Sequence, residues 1–438
     1  MKKLKYLLVF IMILLFNLLC SPINVDEIWN YGFSVNIYRG LVPYLDFNMV
    51  LTPFYPFFMS LFFHVFGSSI LTFHVVNAVI LTFCFFLLDQ MYQEKSYLFF
   101  LFFFFPVNYA FPNYNLFLFV LLVIIIYMEE NFVSKYSWAH YAIGFMLGLC
   151  LLTKQTVGFC LLLPSLYYVK QKKVLLQRFL GFLVPVGIFV IYLLLTGSFY
   201  SFINLCVLGL FEFSGNHKLK PILGTLAILM IFATIYFIKK DPKDLINYYA
   251  LCFYTLIIPI VDVYHFFIAF LAFLLVICKK IKKQYIHYAP FSIISVLVLA
   301  VLNAYNNHFS FSNYPNDINH FEYRYINPYN YRFTKDVLHY LEMNKDKKIM
   351  FINSDGYYFK LITDMDISYV DLINQGNLGY HGGEYLLDVV KESKDVLFLV
   401  NPNEYGGYRQ TDQNVIKYVL TKGKKIKDLG LYDVYVLE

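Results

Sequence analysis

SPINVDEIWNYGFSVNIYRGLVPYLDFNMVLTPFYPF, residues 21–57, is a polar, aromatic-rich insert between two apolar runs. Asp26 and Glu27 stand side by side just after the first run. Arg39, a Gly-Leu-Val-Pro-Tyr turn ending at Tyr44, Asp46, and the prolines Pro53 and Pro56 follow. A connecting turn needs none of these. A loop that carries chemistry against a membrane surface does.

Outward from this loop the chain is greasy. Of 438 residues, 59% are hydrophobic and 15% charged. Apolar runs of 14 to 20 residues fill most of the first 300 positions, and such runs read as membrane helices rather than a soluble core. The fold class is therefore an α-helical polytopic membrane protein. The net charge of +6 sits in basic clusters beside the runs, so it reports topology and gives no nucleic-acid surface. All seven cysteines lie in or at the edge of apolar runs, without a CxxC pair or a Cys/His metal spacing. Neither a disulfide frame nor a zinc site is expected.

Lys2, Lys3 and Lys5 place the N-terminus in the cytoplasm, ahead of an uncleaved first span at 4–20. About eleven spans follow from the pattern. Residues 138–169 are too long for one crossing, about 48 Å at the helical rise, and read as two short spans broken at Thr153–Thr156. Pro56–Phe66 is too short to cross and reads as an interfacial helix. With it kept off the span count, every strong Lys/Arg cluster falls on one side. Two domains result: a membrane domain over 1–302 with the outer loop 21–57, and an extracytoplasmic domain over 303–438. In the second, strands at Lys348–Asn353, Val396–Val400, Lys424–Leu429 and Tyr432–Leu437 interleave with helices at Thr334–Glu342, Glu384–Lys391 and Gln413–Lys422, an α/β pattern.

Sorting polar residues by side gives an asymmetry. The inner loops hold simple basic runs. The outer ends hold Asp26, Glu27, Arg39, Asp46, Asn113, Asn115, Lys154, Gln155, His217, Asp262 and His265. Ionisable groups bordering apolar runs are costly and point to function. Asp26 and Glu27 are the catalytic candidates, as a general base. Arg39, Tyr44, Asp46, Asn113, Asn115, Lys154, Gln155 and His265 are the substrate-binding candidates. Each also has a structural reading. The acids can cap a helix, Asp46 can close a turn, Arg39 can form a loop ion pair, Lys154 can snorkel, the asparagines can cap the fourth span, and His265 can be a span-end packing residue. Such an outer cavity suits a lipid-linked substrate. No cofactor is expected, and a divalent metal stays open.

Asp26-Glu27, Tyr38–Asp46 (YRGLVPYLD) and Thr52–Pro56 (TPFYP) together resemble the first outer loop of polytopic glycosyltransferases of the GT-C fold, the protein mannosyltransferases and bacterial aminoarabinose transferases. Gly148–Thr156 (GLCLLTKQT) is similar to their Gly-Leu-x-x-x-x-Lys signature. The resemblance covers roughly residues 1–300, and an α/β tail also occurs in that family. It implies an acidic base in this loop and a polyprenyl-phosphate sugar as donor. The second outer turn departs from the pattern, with Asn113 and Asn115 where relatives often carry an acid. The expected reaction is inverting and metal-independent. Asp26 takes the proton of an acceptor hydroxyl, and the lipid phosphate leaves toward Lys154 or Arg39. The expected partners are the polyprenyl-phosphate sugar, a glycan, glycolipid or protein acceptor, and membrane lipid; nucleic acid is not among them. A transporter or flippase, or a non-catalytic cell-envelope assembly protein at the plasma membrane, is the alternative. The first of these expects charges near the midplane in two related halves, and no such repeat is visible.

Overall fold

The computed structural model describes residues 2–20, 25–99, 111–168, 171–213, 221–258, 262–281, 318, 328–353, 356–363, 365, 377–404 and 412–437. The expected spans at 97–111 (for the most part) and 287–302, His217, and most of 303–327 lie outside these residues.

Among the described residues the helices of the bundle include α1 (Lys2–Leu15), α2 (Val25–Tyr38), α3 (Phe54–Phe66), α4 (Ile70–Tyr92), α5 (Tyr114–Asn131), α6 (Trp138–Thr153), α7 (Gln155–Tyr168), α8 (Lys172–Thr196), α9 (Phe199–Phe202), α10 (Pro221–Lys240), α11 (Leu245–Phe253) and α12 (Val263–Lys280). Among the described residues five helices are long and apolar enough to cross a membrane, and shorter apolar helices accompany them. The chain is a multi-pass membrane protein.

Two local features set the geometry. The long apolar stretch breaks at Lys154 alone, between α6 and α7, and the two helices fold back on each other with Gly158 against the backbone of Cys150 and Leu151. Helices α6 and α8 approach backbone to backbone. A Cβ at Gly144 would collide with the Arg178 carbonyl, and one at Gly148 with Pro185. Small residues of this kind let membrane helices close without a side-chain layer between them.

The chain alternates between two ends of the bundle. One end collects the basic residues: Lys5 meets Asp89 at 2.6 Å, Arg178 meets Glu129 at 2.7 Å, and Lys279 and Lys280 each meet Asp244 at 3.0 Å. Tyr249 donates to Glu129 at 3.1 Å, and Arg178 donates to the Ser165 hydroxyl at 2.8 Å. The other end carries the insert between α1 and α4.

That insert is more ordered than a loop. Residues 25–38 form the helix α2, with Asp26 and Glu27 in its first turn, where the helix dipole favours acids. The chain then turns through Gly40 and Pro43–Phe47 and enters α3. The stretch between them is pinned from three sides. Gln155 donates to the Val50 carbonyl at 3.0 Å and to Cys206 at 3.1 Å, Thr52 donates to Leu151 at 2.9 Å, and Tyr44 donates to Leu51 at 2.6 Å. The segment after α8 is helical over Phe199–Phe213, with a π-helical turn at Ile203–Leu208.

Among the described residues the C-terminal α/β domain has four strands, β1 (Lys348–Phe351), β2 (Val396–Val400), β3 (Gly423–Asp428) and β4 (Asp433–Leu437), in the order β1-β2-β4-β3. β1 and β2 run parallel, and β4 is antiparallel to β2 and β3. Helices α13 (Pro328–Met343), α14 (Gly356–Thr363), α15 (Gly382–Glu392) and α16 (Gln413–Lys422) complete it. Strand β2, VLFLV, is buried on both faces. Phe398 and Val400 pack with Leu386 of α15 and Val419 of α16, while Leu397 and Leu399 belong to a core continuous with the bundle. The domain therefore rests on the insert end: Asn48 donates to the Asn377 carbonyl at 2.9 Å, and Tyr380 N–H donates to Asn204 at 2.7 Å.

Candidate active site

At the insert end, residues from four distant segments meet. Asp26, in the first turn of α2, lies in the electrostatic field of His265, Asp262 and Lys154. Lys154 reaches there because it occupies the helix break and caps α6 in extended conformation. Its ammonium donates to Asn115 Oδ1 at 3.0 Å and stands 5.3 Å from the centre of the Tyr114 ring. Asn115 in turn donates its amide to the Tyr264 hydroxyl at 3.3 Å. Asp262 caps α12 by accepting from His265 N–H at 2.7 Å, and its carboxylate also meets His265 Nδ1 at 3.0 Å. The cluster is thus an acid, a lysine, an Asp–His pair, the half-buried Tyr114 and the buried Tyr264, held by the ends of α2, α5, α6 and α12.

The electrostatics are unlike those of exposed residues. Burial raises the Asp26 carboxyl above the ordinary carboxylate value, with Asp262 adding to the rise while His265 and Lys154 oppose it. Burial also pushes the Lys154 ammonium down to about 8, against the pull of Asp26 and Asp262. A base poised upward and an ammonium that still carries its proton at neutral pH are matched to proton transfer beside an anion.

The other expected residues have separate places. Glu27 points away from Asp26, as neighbours about 100° apart on a helix do. It is fully buried, and its Oε1 meets His74 Nε2 at 2.7 Å, with both side chains at 0% exposure. That pair ties α2 to α4. Asn113 caps α5 by accepting from Leu116 N–H at 2.8 Å. Asp46 closes its own turn by accepting from Val42 N–H at 2.6 Å. Tyr44 is buried under the same turn, and the Gln155 amide is spent on backbone carbonyls. Arg39 is exposed at the far end of α2, about 20 Å along the helix from Asp26 at its usual rise. Tyr114 and Tyr264 were not among the expected site residues. Their only sequence signal is adjacency to Asn115 and His265, which 40 tyrosines obscure.

An apolar cavity of about 720 Å³ opens on the flank of the bundle, between α3, α4, α5 and α6. Phe54, Phe58, Phe117 and Leu149 line its upper part, and Val79 and Phe83 lie deeper. Phe117 lies two residues from Asn115 along α5, on nearly the opposite side of that helix, so α5 stands between the cavity and the cluster. Among the described residues no group of three or more His, Cys, Asp or Glu is placed to hold a metal ion.

No protein-family profile and no curated protein matches the sequence. A solved structure does: ArnT from Cupriavidus metallidurans bound to undecaprenyl phosphate, with a TM-score of 0.56 and 12% identity over 98% of this chain and 96% of that one. At that identity the likeness speaks for architecture, over the membrane bundle and the C-terminal domain together. The chain has the fold of the GT-C aminoarabinose transferase ArnT.

Proposed function

We propose that the protein transfers a sugar from a polyprenyl-phosphate donor to an acceptor hydroxyl at the extracytoplasmic face of the membrane, with inversion at the anomeric carbon. The acceptor oxygen attacks that carbon from the side opposite the phosphate. The bond from carbon to phosphate oxygen breaks, and its electron pair leaves with the polyprenyl phosphate. The acceptor's proton goes to Asp26. Lys154, held by Asn115 and backed by Tyr114, meets the departing phosphate, and its charge counts for more in a buried setting than in water. Asp262 holds His265 beside the base, and Tyr264 keeps Asn115 in place. The prenyl chain lies in the apolar cavity, an environment as greasy as itself.

The observation that carries this reading is the gathering of Asp26, Lys154 with Asn115, and the Asp262–His265 pair at one end of the bundle, where Asp26 and Lys154 feel each other's charge. The fold likeness supports it. The test is reconstitution of the purified chain in lipid vesicles with a labelled polyprenyl-phosphate sugar and a hydroxyl acceptor. Release of free polyprenyl phosphate together with labelled acceptor is the expected result. Movement of intact donor across the bilayer without cleavage would make the protein a flippase instead.

A further inference from the structure

The contact between the C-terminal domain and α2 lies on the helix that carries Asp26. Tyr357, in the first turn of α14, is buried with 1% exposure and lies across Gly32 of α2. Its hydroxyl accepts from the Asn36 amide at 3.1 Å, and its ring meets Phe33 at 6.0 Å between centres. A Cβ at position 32 would overlap the edge of the Tyr357 ring, so the fit requires glycine there. Gly32 is six residues from Asp26, about 9 Å along the helix.

The support behind Tyr357 is stiff. Helix α14 starts five residues after β1, and Gly356 packs against the Phe351 side chain of that strand. Phe359, two residues beyond Tyr357, stacks on Phe351 at 5.0 Å between ring centres, and Tyr432 closes on Phe351 at 5.4 Å. On its other side α2 is fixed to α4 by the buried Glu27–His74 pair. Helix α2 is therefore held between the bundle and the sheet, and Tyr357 is the sheet's contact.

We propose that Tyr357 is a positioning residue, through which the C-terminal domain sets the place of α2 and so of the Asp26 carboxylate. This rests on the reading of Asp26 as the base. The domain is then part of the catalytic machinery, whatever it does toward the acceptor. A displacement of about 1 Å in a reacting group lowers rates by about 10²-fold, so a ring pressed against one glycine has leverage.

The experiment uses the full chain in lipid vesicles with the polyprenyl-phosphate sugar. Gly32→Ala is expected to lower kcat by about 10²-fold with little change in KM for the donor. It is also expected to move the acidic limb of the pH profile down as Asp26 gains water. Gly32→Ala combined with Tyr357→Leu, which removes the colliding ring edge, should recover at least about tenfold of that loss. Trp29, one turn from Asp26, reports the helix directly: in a Trp138→Phe background its emission should shift on Gly32→Ala and return in the double variant. Wild-type kcat and unshifted emission in Gly32→Ala would overturn the inference, as would a loss of rate that tracks a fall in Tm and is not recovered in the double variant. Failure of the underlying reading looks different. In that case Asp26→Asn keeps its transfer rate while the Trp29 shift still appears.

Discussion

The two ends of the bundle solve the same problem in opposite ways. Both place charges beside a greasy interior. At the basic end several charges meet opposite partners, as Arg178 does in Glu129 and Lys279 and Lys280 do in Asp244. Such pairs are stable when satisfied and costly when broken, and they leave nothing for a ligand. At the insert end Lys154 is held by a neutral amide and a ring, and Asp26 is kept above its ordinary value by burial. The first end is closed electrostatically. The second gathers an acid and an ammonium with a neutral amide and phenols, which suits a site for an anionic donor.

Substitutions sharpen that contrast. Asp26→Asn should cost about 10²–10⁴-fold in kcat while donor binding and Tm hold, because only proton transfer is lost. Lys154→Met should cost about 10²–10³-fold, read as loss of polyprenyl phosphate release in single turnover. Lys154→Arg should keep most of the rate and change the pH profile. The rate requires Asp26 deprotonated and Lys154 protonated, so it falls at low pH and again above about pH 8, where Lys154 loses its proton. A guanidinium keeps its proton, so the alkaline limb should vanish in that variant. At the other end Arg178→Met should lower stability by about 3–5 kcal/mol, seen in Tm or denaturant midpoint, and leave kcat per folded molecule unchanged. Asp46→Asn, at an exposed turn, should change either quantity least, within about 0.5 kcal/mol. A large rate loss from Arg178→Met, or a large stability loss from Asp26→Asn, would break the contrast.

The sequence made the architecture legible where physics is one-dimensional. Apolar run length, the polar break at Lys154 and the one-sided basic clusters reappear in the structure as helix ends and a shared face. The strands of the C-terminal domain and helices α15 and α16 stand within a few residues of the expected positions, α13 starts earlier at Pro328, and α14 (Gly356–Thr363) was not expected. The interior of the insert was not legible. VDEIWNYGFSVNIY reads as a polar loop, yet packing between bundle and sheet makes it a helix. That error carries into the site. In a loop Arg39 and Asp26 can meet, whereas on a helix they stand about 20 Å apart. Asp26, Asn115, Lys154 and His265 were visible because each interrupts or borders an apolar run. Asp262 was noticed at a span end but not counted as a contact, since nothing in the sequence tells that its carboxylate would hold His265.

The most direct test is the pH profile of single-turnover transfer, measured for the wild type and Asp26→Asn side by side. The account predicts an acidic limb in the wild type, displaced above the ordinary carboxylate range, and a low residual rate without that limb in the variant. An acidic limb that survives unchanged in Asp26→Asn would mean that another group takes the proton, and the site described here would not be the one that does the chemistry.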